Sequence, residues 1–398
     1  MAEEVFRTLD DYVDTGDTAG ALEFLIDRFR AAGDVRQFFE AKLMKKRFEL
    51  GLPLIQADSS SEIPAQLREN YEQGMISAAR EAGTLALEHE DIPRAWPYFR
   101  AIGESAPVVE AIERAQPGDS ADEIINIAFV EGVHPAKGLE LILHQHGMCR
   151  AITSFGMYPA RNGRAECIAL LVRSLHAEVV ERMAGAIESQ EGQRPPGNNL
   201  TELMAGRDWL FGEYDTYVDT SHLTSLLPYA VEVSEPGTLQ LMHELCVYGQ
   251  RLSSMFQLRG QPPFENPFVD YGEYILAVLG VDVEDRLLHF RKKAGECDPD
   301  EMGTAPAELL VNLAVRLGRF DEALQASTDY LTGDEQFELS CPSMLKLCSL
   351  AKDYRRLREL AMDRGDLLSY VAALSGNSAR GPIENRPQDK ILPHRAAI

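Results

Sequence analysis

Leu317-Gly318-Arg319-Phe320-Asp321-Glu322-Ala323-Leu324 reads as the turn between two antiparallel helices. Gly318 stands where the first helix must stop, because a left-handed residue after a helix costs glycine nothing. Phe320 and Ala323 then open the second helix, the ring filling a gap and the small side chain allowing close approach. Looser copies recur at Gly16-Asp17-Thr18-Ala19-Gly20-Ala21-Leu22, at Glu90-Asp91-Ile92-Pro93-Arg94-Ala95-Trp96 and at Lys352-Asp353-Tyr354-Arg355-Arg356-Leu357. A recurring helix-turn-helix unit predicts an all-α fold: antiparallel helical hairpins stacked into a solenoid-like arc, with loop insertions in the central part. Runs of β-branched residues, the mark of strands, are few.

Around these cassettes the chain divides into four regions. Residues 1–118 are helical by period, with Phe24, Leu25 and Phe29, then Phe38, Phe39 and Leu43, at three- and four-residue spacing. Pro64 is placed to start a long helix over 63–86. Residues 119–296 form a central helical module that holds most of the histidines and two proline-rich loops, 193–199 and 261–268. Residues 297–374 return to compact hairpins, and Pro306 opens one of their helices. Residues 375–398 lose all period and read as a disordered tail.

The stretch from Leu313-Ala314 to Ala323-Leu324 resembles the tetratricopeptide repeat, whose second helix begins with an aromatic, two polar residues and a small one. Degenerate units of the same kind cover 1–115 and 300–374, and the central region carries none. The resemblance implies stacked hairpins that bind a partner, with no chemistry attached.

Charge narrows the partners. A net charge of −24 over 398 residues repels phosphate backbones and anionic membranes, so neither nucleic acid nor membrane is expected. Met1-Ala2-Glu3-Glu4 is acidic and leads into an amphipathic pattern, which is no signal peptide; a cytoplasmic protein is expected. Cys149, Cys167, Cys246, Cys297, Cys341 and Cys348 include no Cys-x-x-Cys pair and read as reduced thiols, mostly in the core.

Two segments could carry chemistry. In 144–153, a continuous helix would place His146, Cys149, Arg150 and Thr153 on one face, where nearby cations favour a thiolate nucleophile. The structural alternative is that Gly147 ends a helix and that His144 and His146 complement its carbonyl end. In 219–222, Asp219 and His222 share a face, the carboxylate-histidine arrangement of both triads and metal sites. There the alternative is an N-cap, at Asp219 or Ser221, for a helix running to Pro228.

His176, with Glu178 and Glu181, reads as part of a solvated helix surface. His243-Glu244 lacks the second His that a zinc peptidase motif needs, since Val247 stands there. The aromatics concentrated between Trp209 and Tyr274 favour core over pocket lining.

The leading expectation is a helical-repeat protein that binds a protein or small-molecule partner through its central module. The alternative is an enzyme whose site joins 144–153 and 219–222. It would use Cys149, His146, His222 and Asp219 catalytically, or hold a transition metal such as zinc or iron through His146, Asp219 and His222.

Overall fold

The computed structural model describes residues 2–54, 63–116, 118, 121–257, 259–298, 303–331 and 339–378. All regular structure among them is helical, without a strand. The α-helices run in order as α1 (Ala2–Thr15), α2 (Thr18–Ala31), α3 (Val35–Glu49), α4 (Ala65–Glu88), α5 (Ile92–Ala101), α6 (Ala106–Arg114), α7 (Ala121–Ile125), α8 (Pro135–Gly156), α9 (Arg164–Glu191) and α10 (Leu200–Met204). There follow α11 (Thr220–Leu226), α12 (Pro236–Arg251), α13 (Pro267–Val278), α14 (Val283–Glu296), α15 (Ala305–Arg316), α16 (Phe320–Tyr330), α17 (Met344–Ala351), α18 (Tyr354–Asp363) and α19 (Leu367–Ser378). A π-helix, Asn126–Val130, continues α7. Successive helices pack on one another, as in α2 with α3, α4 with α5, α12 with α13 and α15 with α16. No helix among the described residues is long and apolar enough to cross a membrane.

The hairpin turns share one construction. A residue with positive φ ends the first helix: Gly16 (70°), Gly33 (66°), Glu90 (59°), Gly103 (72°), Gly318 (71°), Lys352 (58°) and Gly365 (67°). The next N–H reaches back into that helix, from Asp34 to the Phe29 carbonyl (3.0 Å), Asp91 to Ala86 (3.0 Å), Arg319 to Ala314 (2.8 Å) and Asp353 to Cys348 (2.9 Å). These bonds satisfy carbonyls that a helix end leaves open. Where the second residue is Asp, its carboxylate caps the following helix. Asp17 accepts from the Gly20 N–H (2.8 Å), Asp34 from Gln37 (3.1 Å), Asp91 from Arg94 (2.9 Å), Asp353 from Arg356 (3.1 Å) and Asp366 from Ser369 (3.0 Å). One dipeptide therefore both ends a helix and starts the next. Gly33-Asp34 and Gly365-Asp366 obey this rule besides the copies at Gly16-Asp17, Glu90-Asp91 and Lys352-Asp353, whereas Gly318-Arg319 and Gly103-Glu104 end a helix without a side-chain cap on the next.

The chain gathers into two compact units. The first comprises Met1–Val179 and Ser221–Val233, the second Val180–Thr220 and Ser234–Ile398. The compositional boundaries near 118 and 296 are not the boundaries of these units. In the first unit a continuous core runs through Ile26, Phe38, Leu85, Phe99, Ile112 and Leu141. In the second, Tyr248, Phe268, Ile275, Phe290, Leu310 and Ala323 are buried. Each buried Leu, Ile or Phe side chain among them contributes roughly 1.5–3 kcal/mol.

Several expectations change at this level. Of the seam residues in the α15–α16 hairpin, Leu313, Ala323 and Leu324 are buried, but Phe320 is only half-buried. His176 is 5 % exposed, not on a solvated surface. Helix α19 continues to Ser378, past the expected start of the tail at 375, and residues 379–398 lie outside the described residues.

Candidate functional site

Helix α5 is built with two working faces. Ile92, Ala95 and Phe99 recur at helical spacing and are buried in the core of the first unit. The opposite stripe, Pro93, Trp96, Pro97, Arg100 and Ala101, forms one wall of a groove of about 760 Å³. Asp91 caps the helix and Pro93 occupies its first turn, where a missing N–H does no harm. Pro97 lies inside the helix, so the Pro93 carbonyl loses the donor that position 97 would otherwise supply. The close seating of α5 depends on Gly83 in α4, because a Cβ there would come 2.6 Å from the Phe99 ring.

The facing wall comes from α7 and the π-helix, through Asp122, Glu123, Asn126, Ile127 and Glu131. A π turn widens the helix by one residue, and such turns are frequent at functional sites. Here it is held from behind. The N–H groups of Glu131, Val133 and His134 bond to the carbonyls of Asn126 (2.9 Å), Ile127 (3.3 Å) and Ala128 (3.0 Å). Gly138 in α8 then lets the next helix press against the turn, since a Cβ there would lie 2.7 Å from the Phe129 backbone nitrogen. Ile127, Ala128 and Phe129 are buried, which leaves Asn126 and Glu131 exposed.

One carboxylate oxygen joins the walls. Oε2 of Glu131 accepts from Trp96 Nε1 at 2.8 Å and from the Arg100 guanidinium at 2.9 Å. These bonds engage both the indole donor and the one cation that lines the groove. What remains is mostly acceptor: the Pro93 carbonyl, and the Asp122 and Glu123 carboxylates, which are exposed and have no ion-pair partner among the described residues; the exposed Asn126 amide can both donate and accept. The floor is apolar, made by Trp96, the two prolines and Ile127.

The segments expected to carry chemistry look different. Gly147 takes φ 78° and ψ 178°, so α8 is two helical pieces that meet in a kink. His146 and Cys149 lie on opposite sides of that break and do not share one continuous helix face. His144, His146, Cys149 and Arg150 are all exposed, and the Thr153 hydroxyl is spent on the Cys149 carbonyl at 2.9 Å. Asp219 directly precedes α11, as an N-cap residue should, and that helix stops at Leu226. His222 is half-buried in its first turn, and neither ring nitrogen has a hydrogen-bond partner among the described residues. No three His, Cys, Asp or Glu side chains among the described residues are grouped to hold a metal ion.

Other singled-out residues have structural work. Glu244 accepts from Asn199 Nδ2 (2.7 Å) and the Leu200 N–H (2.8 Å), anchoring the end of the proline-rich loop, while burial holds the neighbouring His243 below its usual range. Cys167, Cys246, Cys341 and Cys348 are buried; burial pushes the Cys167 thiol up to about 12 and Cys341 up to about 11, the opposite of nucleophile activation. Tyr248, Phe268, Tyr271 and Tyr274 are core as expected, but Trp209 and Tyr214 are 44 % and 70 % exposed.

Sequence reasoning missed the groove. Trp96 and Glu131 stand 35 positions apart and belong to different compositional regions, so only the packed helices bring them together. The available signal was the spacing Pro93, Trp96, Pro97, Arg100, a second stripe opposite the apolar one. Compared with known proteins, the chain matches no family model, no curated protein and no solved structure.

Proposed function

We propose that this is a partner-binding protein of tetratricopeptide-like helical hairpins, and that the groove between α5 and the π-helix is its recognition site. The occupant is a segment of another protein that carries a Lys or Arg beside an apolar side chain. The observation behind this reading is the pairing of an apolar floor around Trp96 with a rim whose unengaged charged groups are carboxylates. A cation gains from the Asp122 and Glu123 carboxylates and from the indole face, an interaction of roughly 0.5–2 kcal/mol. An apolar neighbour covers Ile127 and the prolines. An acidic segment meets three carboxylates, Asp122, Glu123 and Glu131, and is repelled.

The test follows Trp96 fluorescence in a Trp209→Phe background, which leaves one indole because the chain has only two Trp. A peptide alternating Lys or Arg with Leu should shift the emission saturably. Its Glu-for-Lys counterpart should not. Asp122→Asn with Glu123→Gln, both exposed positions, should weaken binding about tenfold at low salt and less at high salt. Equal response to both peptides, or none to either, would overturn the reading.

A further inference from the structure

The first helix and the last described helix both leave apolar side chains in solvent. On α1, Phe6 and Val13 are 66 % and 73 % exposed. They fall seven residues apart, on one helix face, with Asp10 between them. The rest of α1 is acidic and exposed: Glu3, Glu4, Asp11 and Asp14 against the single Arg7. None of these carboxylates has an ion-pair partner among the described residues.

At the other end of the described residues α19 carries no charged residue at all. Leu367 and Leu368 are 78 % and 85 % exposed, Val371 is 58 %, and Met362, just across the turn in α18, is 66 %. That turn is tight: Gly365 has φ 67° and the Asp366 N–H bonds to the Ala361 carbonyl at 2.8 Å. Met362, Leu367 and Leu368 are therefore grouped around it. Beside them lies a stretch of this acidic chain where cations outnumber carboxylates. Lys352, Arg355, Arg356, Arg358 and Arg364 stand against Asp353, Glu359 and Asp363. Lys352, Arg355 and Arg358 are exposed and have no ion-pair partner among the described residues.

Exposed apolar side chains grouped on a helix surface call for a covering partner, and both α1 and α19 carry them. We infer that the two surfaces cover each other between molecules: the acidic, Phe6-bearing face of α1 in one copy docks on the α18–α19 turn of the next. The charges decide the occupant. Two copies of α1 face to face would oppose carboxylates, and two copies of the α18–α19 turn would oppose unpaired arginines. The α1-to-turn contact instead sets Asp10, Asp11 and Asp14 near Arg355 and Arg358, with leucines against phenylalanine. Two different patches make the interface heterologous, so each copy offers one donor and one acceptor surface.

The test uses the full chain and its sedimentation over a wide concentration range. Wild type should associate beyond a monomer, more at low salt than at high salt. Phe6→Ser with Val13→Ser should be monomeric, and so should Leu367→Ser with Leu368→Lys. All four side chains are exposed, and unchanged circular dichroism verifies that the variants fold. Mixed in equal amounts, the two monomeric variants should form a heterodimer and nothing larger, since each retains the surface that the other lacks. A monomeric wild type would overturn the inference. So would a variant of either terminus that still associates alone, or a mixture that stays monomeric.

Discussion

Nε2 of His289 lies 3.0 Å from Oδ1 of Asp270, a carboxylate whose side chain is only 3 % exposed. The other oxygen of Asp270 accepts from Lys293 Nζ (3.1 Å) and from the Asn266 N–H (2.8 Å). Lys293 also pairs with Glu265. A single buried acid thus fastens α13 to α14 and to the loop before α13. Asp270→Ala removes the hub: the Asn266 N–H and His289 lose their acceptor and Lys293 keeps only Glu265, which should cost about 1–3 kcal/mol. Trp209 belongs to the second unit and Trp96 to the first, so single-tryptophan variants report each unit separately. Urea unfolding followed through Trp209 should move to lower denaturant, and unfolding followed through Trp96 should respond less. An unchanged Trp209 transition would show that the cluster is dispensable.

Close approach of helices gives a second expectation. A Cβ on Gly249 in α12 would stand 2.2 Å from the Phe268 ring of α13. Gly249→Ala should therefore cost about 1–3 kcal/mol despite the better helix propensity of alanine. Gly185 in α9 has nothing within 4 Å of its virtual Cβ, so Gly185→Ala should instead add about 0.5–1 kcal/mol. Thermal melting that shifts both variants in the same direction would contradict the packing described here.

The hairpin turns were legible because their signal is local: a left-handed residue and a capping Asp are adjacent in the chain and act on helices adjacent in the chain. The break at Gly147 was legible for the same reason. The groove and the Asp270–His289 cluster were not. Each joins side chains from two helices, and every partner taken alone has an ordinary reading, Trp96 as core, Asp270 as a residue in a helix's first turn, His289 as a helix face. Period shows which stripe of α5 goes inside; it does not show which distant carboxylate the other stripe meets. His176 was misplaced because neighbouring Glu178 and Glu181 suggested a wet surface. On a helix, those neighbours point elsewhere than position 176.

The turn rule can be tested where it is broken. Glu90 and Lys352 hold positive φ, 59° and 58°, where the other cassette turns use glycine. Glu90→Gly should relieve this strain and stabilise the first unit by up to about 1 kcal/mol, part of the gain offset by a more disordered unfolded chain. Asp91→Ala should do the reverse, costing about 1 kcal/mol by removing the cap on Arg94 N–H. Melting of the two variants checks the signs, and a stabilising Asp91→Ala would refute the capping role.

Glu308 should contribute to acid sensitivity. Burial pushes this carboxyl up, but hydrogen bonds from Ser340 and Thr304 outweigh it and hold the group below its ordinary value of 4.5. Oε2 accepts from both the N–H and the hydroxyl of Ser340 at 2.6 Å. A carboxyl depressed in the folded state contributes stability that is present above its unfolded pKa and is lost as pH falls through the folded one. Glu308→Gln should therefore be less stable than wild type at neutral pH, and the difference should shrink as the solution is acidified below 4.5. Denaturant midpoints at several pH values would measure it. A gap that stays constant with pH would mean that the charge on Glu308 is not what holds Ser340.

Glu131 tests how the groove is organised. Its Oε2 serves Trp96 and Arg100 together, and its side chain is 26 % exposed against 67 % for Arg100. In Glu131→Gln the amide oxygen can still accept from the indole, so Trp96 should keep its position and the emission of the free protein should change little. The Arg100 guanidinium, however, loses its charged partner and stands as a free cation on the rim. Binding of the Lys- and Leu-containing peptide should fall more than removal of one carboxylate alone would require, by about tenfold at low salt. Glu131→Gln combined with Arg100→Ala should recover part of that loss, because the second change removes the released cation. Glu131→Ala should differ from both, freeing the indole N–H to water and shifting the emission of Trp96 to longer wavelength. If Glu131→Gln binds the peptide as wild type does, the carboxylate holds the walls together without shaping the electrostatics of recognition, and Asp122 and Glu123 alone would carry the preference for cations.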